Sequence, residues 1–271
     1  MSHNVSQHRQ RGEVRAPSDL KTPVRNLFFW GKLLDVYHLE LEQEYFNSKR
    51  WLLNRLVTGP GVVCGLDVQL NDDGEVVVYP GVAIDRCGRE IIVPAPSRPV
   101  VLPPMPPHEH NDYKQKQDYK QVRKERRDYC EEDYAHVVIC YHECETDPVP
   151  AMAGDCESVT LCAAGSVREQ YEVQVREGFA PERKPNFPDV IDGKRISYSA
   201  IVDYVTRACR PLPDDCCLPL ANVRLRDTDH GWEPEVDIGI RPIVYTNRLL
   251  FELIQSLVKG ERGEYGEEAE L

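Results

Sequence analysis

Long apolar runs are missing from this chain. Nowhere in its 271 residues is there anything near the roughly 18 consecutive apolar positions that a membrane-crossing helix needs, so direct membrane insertion is not expected. The polar opening MSHNVSQHRQRGEVR lacks the apolar centre of a signal peptide, and the expected compartment is the cytoplasm, at least until any particle containing the protein is released. An excess of basic residues is missing too. Thirty-three Lys and Arg face 45 Asp and Glu, for a net charge of -12, which argues against a sequence-independent nucleic-acid binder, because such proteins present a clustered basic face to phosphates. Catalytic templates are also missing: no G-x-S-x-G elbow, no G-x-x-x-x-G-K-[ST] phosphate loop, no H-E-x-x-H and no dinucleotide-binding glycine fingerprint. Asp72-Asp73 and Asp214-Asp215 sit in turn-forming text, where Asp is favoured for bonding its own backbone. Adjacency cannot identify a glycosidase pair, whose carboxyls must stand roughly 5 to 9 Å apart.

What is present is concentrated from Leu27 to Val68. Asp35 is a good N-cap, and no Pro or Gly interrupts the run from Val36 to Leu56. Glu40, Glu42 and Glu44 weight its first half and Lys49, Arg50 and Arg55 its second, an order that suits the helix dipole. Val36, Leu39, Phe46, Leu53 and Leu56, widened by Tyr45 and Leu52, predict an amphipathic helix with one buried face. Gly59-Pro60-Gly61 stops it, and a strand is expected from Val62 to Leu70.

Composition divides the chain into five stretches: a flexible arm at 1–26, a helix plus β-rich block at 27–102, a Pro-led charged insertion at 103–133, a second β-rich block with a C-terminal helix at 134–259, and an acidic tail at 260–271. In the first block Glu75 to Tyr79, Val82 to Asp85 and Glu90 to Val93 read as short strands between turns, with Pro99 to Leu102 as an added edge. In the second, Tyr134 to Tyr141 and Ser166 to Val175 alternate as strands, and Asp147 to Gly165 reads as a loop. Ser197 or Ser199 caps a helix over Ala200 to Ala208 that packs on the sheet, and Cys217 to Leu225 pairs with Glu235 to Ile240. A last helix starts near Pro242 and carries its apolar stripe to Gly260. The expected fold is α+β: a mainly antiparallel β core, a small sandwich or meander, with an amphipathic helix at the N-terminal side and another helix at the C-terminal side.

Ten cysteines are many for a cytoplasmic chain. Cys144, Cys156, Cys162 and Cys216, with Cys217 or His142 as substitute, are the candidate ligands of a structural zinc that would stiffen loops poor in apolar residues. No C-x-x-C pair exists, so disulfides among the same residues and free thiols stand beside the zinc reading. His108-Glu109-His110 lies in extended Pro-flanked text with no fixed geometry.

An aromatic-Gly-x-Leu-Leu lead-in (Phe29 to Leu34), Glu42-Gln43 with Tyr45, Asn54-Arg55-Leu56, Gly61-Val62-Val63-Cys64-Gly65-Leu66 and the block from Pro80 to Pro94 together resemble a family encoded with contractile injection systems and phage tails. Weaker likeness continues through Asp147 to Pro150, Ser166 to Val173 and the helix at Asn247. The resemblance implies a non-catalytic, baseplate-associated or tail-fibre-attachment component. Its partners would be baseplate or tail-fibre proteins of the same particle, or a second copy of the chain. Phe28, Phe29, Trp30, Tyr37, Tyr45, Trp51 and Arg55 are the expected docking residues, since aromatics and Arg dominate interface energetics. Part of the helix face, with Trp30 and Trp51, is then expected to meet another chain rather than its own core. A carbohydrate- or cell-surface-binding module, and behind it a cell-wall glycan hydrolase, are the alternatives.

Overall fold

The structure, a computed structural model, describes residues 20–103, 134–150, 162–181, 191–192, 195–207, 209–224, 227–228, 231–232 and 234–264. The charged insertion and the last seven residues lie outside them, so the expectations for those stretches stay with the sequence. The fold is α+β, mainly antiparallel β with a helix toward each end. The chain forms two compact units, residues 1–48 with 183–214 and residues 49–182 with 215–271.

α1 runs Val36–Leu53 and continues as a π turn over Asn54–Thr58, closed by the Gly59 amide donating to Asn54 O at 2.7 Å. Asp35 caps it as expected, its Oδ1 accepting the His38 amide at 3.1 Å. The expected burial of its stripe is not found. No residue of α1 is buried.

That core belongs to the second unit. β1 (Gly61–Gly65), β4 (Gly81–Ile84) and β5 (Glu90–Val93) form a three-stranded sheet in the order β1-β4-β5, while β2 (Val68–Leu70) pairs with β3 (Val76–Val78). The single strand expected from Val62 to Leu70 is therefore two. Leu66 breaks it with φ +57, its amide donating to Pro80 O at 3.1 Å, so that β1 stays with β4 while β2 turns away to β3. Leu66 itself is fully buried. The edge expected at Pro99 to Leu102 shrinks to one bridge, Val100 to Val76.

β6 (Tyr134–Pro150) and β7 (Cys162–Glu177) pair antiparallel from Ala135↔Glu177 to Pro150↔Cys162. The loop expected from Asp147 is thus strand at both ends. In the first unit, β8 (Ile191–Asp192) and β9 (Arg195–Ile196) precede α2 (Tyr198–Val205). Ser197 caps α2 through the Ala200 amide at 3.4 Å, and no residue of α2 is buried. In the second unit, β10 (Leu218–Arg224) pairs with β6, and after a small hairpin of β11 (Asp227–Thr228) and β12 (Gly231–Trp232), β13 (Glu235–Asp237) pairs with β10. The resulting sheet has the order β13-β10-β6-β7.

The β1-β4-β5 sheet, the β2-β3 pair and the four-stranded sheet share one apolar core. Val62, Leu66, Val76, Val78, Ile91 and Val93 pack with Val137, Ile139, Leu218, Leu220 and Val223, each removed from water. α3 (Asn247–Glu264) begins later than expected and passes through Gly260. Pro242 is spent on the core, its carbonyl accepting the Val62 amide at 2.8 Å, and Thr246 takes over the cap, its Oγ1 accepting the Leu249 amide at 3.2 Å.

Candidate docking surface

In the first unit the segment before α1 is fixed by polar contacts rather than by burial of its aromatics. The Asn26 amide donates to Glu42 Oε2 at 3.3 Å, tying the segment to the helix. Gly31, at φ +84, turns the chain so that the Lys32 amide donates to Phe29 O at 3.1 Å. The Lys32 ammonium then donates to Asn26 Oδ1 and to Leu27 O, and stands 6.0 Å from the ring centroids of both Phe28 and Phe29. The result is a shaped turn that shows its apolar side chains to solvent. Trp30 is 101% exposed, Phe28 58% and Phe29 63%, and Leu27 and Leu33 are exposed beside them. Along α1, Val36, Tyr37, Leu39 and Phe46 are exposed, whereas Tyr45 is half-buried and meets Phe46 edge to face.

At the start of α1 the Asp35 carboxyl is held below its ordinary range. The His38 backbone amide is the main cause and the His38 ring, at 2.5 Å, the next.

In the second unit the end of α1 is latched to the β4–β5 turn. Asn54 Nδ2 donates to Gly88 O at 2.9 Å and Glu90 Oε1 at 2.8 Å, and Arg50 Nε reaches the same Glu90 oxygen at 3.1 Å. The turn is built around Asp85, a fully buried carboxylate that accepts the amides of Cys87 and Arg89 at 2.8 Å each and Arg89 Nε at 2.7 Å. Gly88 has φ +93, and a Cβ there would stand 2.1 Å from Trp51 O. Trp51 and Arg55 are accordingly half-buried, while Leu52, Leu53, Leu56 and Val57 are exposed. α3 leaves Leu250, Phe251, Leu253, Ile254 and Leu257 in solvent.

The expected docking residues thus fall into two groups. Phe28, Phe29, Trp30 and Tyr37 are exposed in the first unit, and Tyr45, Trp51 and Arg55 are half-buried. The exposed face of α3 was not among the expected docking residues, although its apolar stripe is plain in the sequence.

The expected zinc ligands within the described residues, Cys144, Cys162 and Cys216, do not converge. Cys216 is bridged to Cys87, and Cys217, the substitute, to Cys140. Cys144 and Cys162 are exposed on the β6–β7 ribbon, where Cys144 faces Arg168 and Cys162 faces Pro150. Six rungs separate those positions, about 20 Å at the usual rise of a strand, far beyond a shared metal with bonds of about 2.3 Å. Cys156 lies outside the described residues. Among the described residues no group of three or more His, Cys, Asp or Glu is placed to hold a metal ion.

A cleft of about 670 Å³ lies between the segment after β5 and β7, lined by Ser97, Arg98, Arg168, Gln170 and Tyr171. Its two carboxylates, Glu169 and Glu172, belong to opposite faces of β7 by strand alternation and do not form a converging acid–base pair. Among the described residues no helix is long and apolar enough to cross a membrane. No protein-family model matches the chain, and no curated protein matches it.

Proposed function

We propose that the protein is a non-catalytic assembly component of a contractile, phage-tail-like particle, docking through the arm and α1 and through α3 onto baseplate or tail-fibre proteins. The observation that carries this reading is the exposure of Phe28, Phe29 and Trp30 on a turn ordered by its own hydrogen bonds, followed by a helix that buries none of its apolar residues. Contiguous exposed apolar surface of this kind marks an interaction site. Most helical stability in proteins comes from packing of an amphipathic face, and a partner supplies that packing here. The sequence likeness from Phe29 to Pro94 names the class of partner. Two disulfides suit a protein that is assembled in the cytoplasm and afterwards works in an oxidising exterior.

The test is co-purification of the full chain with sheath, tube and baseplate proteins of its own particle. A Phe28→Ala, Phe29→Ala, Trp30→Ala variant is expected to melt as the parent does and to drop out of the complex. A parent that runs alone as a monomer in the presence of those proteins overturns the proposal. A glycan-binding reading is favoured by the Arg98, Arg168 and Tyr171 cleft alone, and it predicts glycan retention without any particle component.

A further inference from the structure

Cys216 and Cys217 are chain neighbours that pair with different strands. In extended backbone successive side chains point to opposite sides, so one sulfur reaches Cys87 in the β4–β5 turn and the other reaches Cys140 on β6. The two bridges differ in place. The last rung between β10 and β6 is Leu218↔Ile139, and Cys217–Cys140 occupies the next one, with a Cα separation of 4.4 Å, as expected of facing residues in an antiparallel pair. Beyond Cys140, β6 pairs with β7 alone among the described residues and continues as a two-stranded ribbon. The bridge therefore pins the root of that ribbon to the sheet.

A guanidinium is aimed at this bridge. Arg176 Nη1 is held by Asp215 Oδ2 at 2.6 Å, and Nη2 by Gln174 Oε1 at 3.0 Å. Nη2 stands 3.4 Å from Cys217 Sγ and 3.9 Å from Cys140 Sγ. Asp215 is fixed in turn by accepting the Cys217 amide at 3.0 Å. A cation within reach of both sulfurs of a disulfide stabilises either one as a thiolate, and a better-stabilised thiolate is a faster leaving group. Cys217 is half-buried and Cys140 buried, so Cys217 is the more accessible residue of the pair.

We propose that Cys140–Cys217 is a thiol–disulfide exchange site whose co-substrate is a dithiol, and that Arg176 is its positioning residue. One thiolate of the dithiol attacks Cys217 Sγ; the Cys140–Cys217 bond breaks, and Cys140 leaves as a thiolate beside Arg176 and is then protonated. The second thiolate of the dithiol attacks the dithiol's own sulfur in the mixed disulfide, and Cys217 leaves as a thiolate 3.4 Å from the same guanidinium and is protonated in turn. Two electrons and two protons pass from the dithiol to the protein, and the dithiol ends as a cyclic disulfide. The consequence is release of the ribbon root while Cys87–Cys216 still joins the two sheets. This proposal is independent of the assembly reading.

The test is a time course of reduction of the oxidised full chain by dithiothreitol, quenched by alkylation and read by peptide mass spectrometry at Cys140 and at Cys87, one cysteine for each bridge. Arg176→Gln is expected to slow labelling of Cys140 by roughly threefold or more while leaving Cys87 at the parent rate, and Arg176→Lys, which keeps the charge, is expected to recover most of the loss. Equal Cys140 rates in parent and Arg176→Gln overturn the proposal, as does equal slowing at both bridges. Labelling of Cys140 before any reductant is added overturns it as well, since the bridge would then be absent.

Discussion

The β core and the helices of this chain solve opposite problems. In the core every strand finds a partner and an apolar face finds another apolar face, so Leu66, Ile139, Leu218 and Leu220 are fully removed from water. In the helical parts the hydrogen bonds close locally, yet Val36, Phe46, Phe251, Ile254 and Leu257 stay in solvent. The contrast teaches that amphipathicity reports a face that must be covered without saying by what. Where the described fold leaves such a face uncovered, the proposed docking role supplies a cover for it.

Substitutions can sharpen this contrast. The largest effect is expected from Ile139→Ala, which empties a fully buried position between the sheets and should cost about 2–5 kcal/mol in a denaturant titration. The matching change in a helix, Leu253→Ala, should shift the same titration by less than about 0.5 kcal/mol, because the residue is already exposed. A helix change as costly as the core change would remove the distinction. An intermediate effect is expected from Gly88→Ala, where positive φ and the Trp51 carbonyl leave no room for a methyl group; a loss of about 1–3 kcal/mol is expected.

The smallest effect concerns Asp215. Partial burial works to raise its pKa, but the Arg176 hydrogen bond, the Cys217 amide and the charges of Arg176 and Arg86 outweigh burial and hold the carboxyl below 3.8. A folded pKa below the unfolded one stabilises above the unfolded value and is lost as pH falls through the folded one. Asp215→Asn should therefore be slightly less stable than the parent near neutrality, with the gap closing below pH 3.8. The exposure of the pair limits the difference to a few tenths of a kcal/mol. A gap that widens in acid would contradict the assignment.

Much of the fold can be read from local text, because the signals act locally. Asp35 before an uninterrupted run marks the start of α1, and alternation from Tyr134 to Tyr141 marks the sheet-bound half of β6. Its outer half is not legible: His142 to Pro150 has no apolar alternation, since a ribbon flanked on one side only has no face to bury. The break at Leu66 depends on β1 and β2 choosing different partners, and only Gly65 hints at it. Pro242 points to an early start for α3, whereas Thr246 is the residue that caps it. The cysteines resisted for a different reason. Sequence spacing says nothing about Cys87 and Cys216, 129 residues apart, until the sheets are stacked. Of the docking residues, the exposed aromatics at 28–30 were legible from composition, whereas the partial cover of Trp51 comes from Gly88, a contact across the fold.

The most direct test of the central claim is hydrogen–deuterium exchange on the full chain, alone and in complex with the proposed particle components. Residues 36–48 of α1 and the apolar stretch of α3 are expected to exchange orders of magnitude faster than β6 and β10 in the isolated protein, and to become protected in the proposed complex while the core stays unchanged. Protection of α1 and α3 in the isolated monomer equal to that of β6 and β10, with no gain on assembly, would contradict the account.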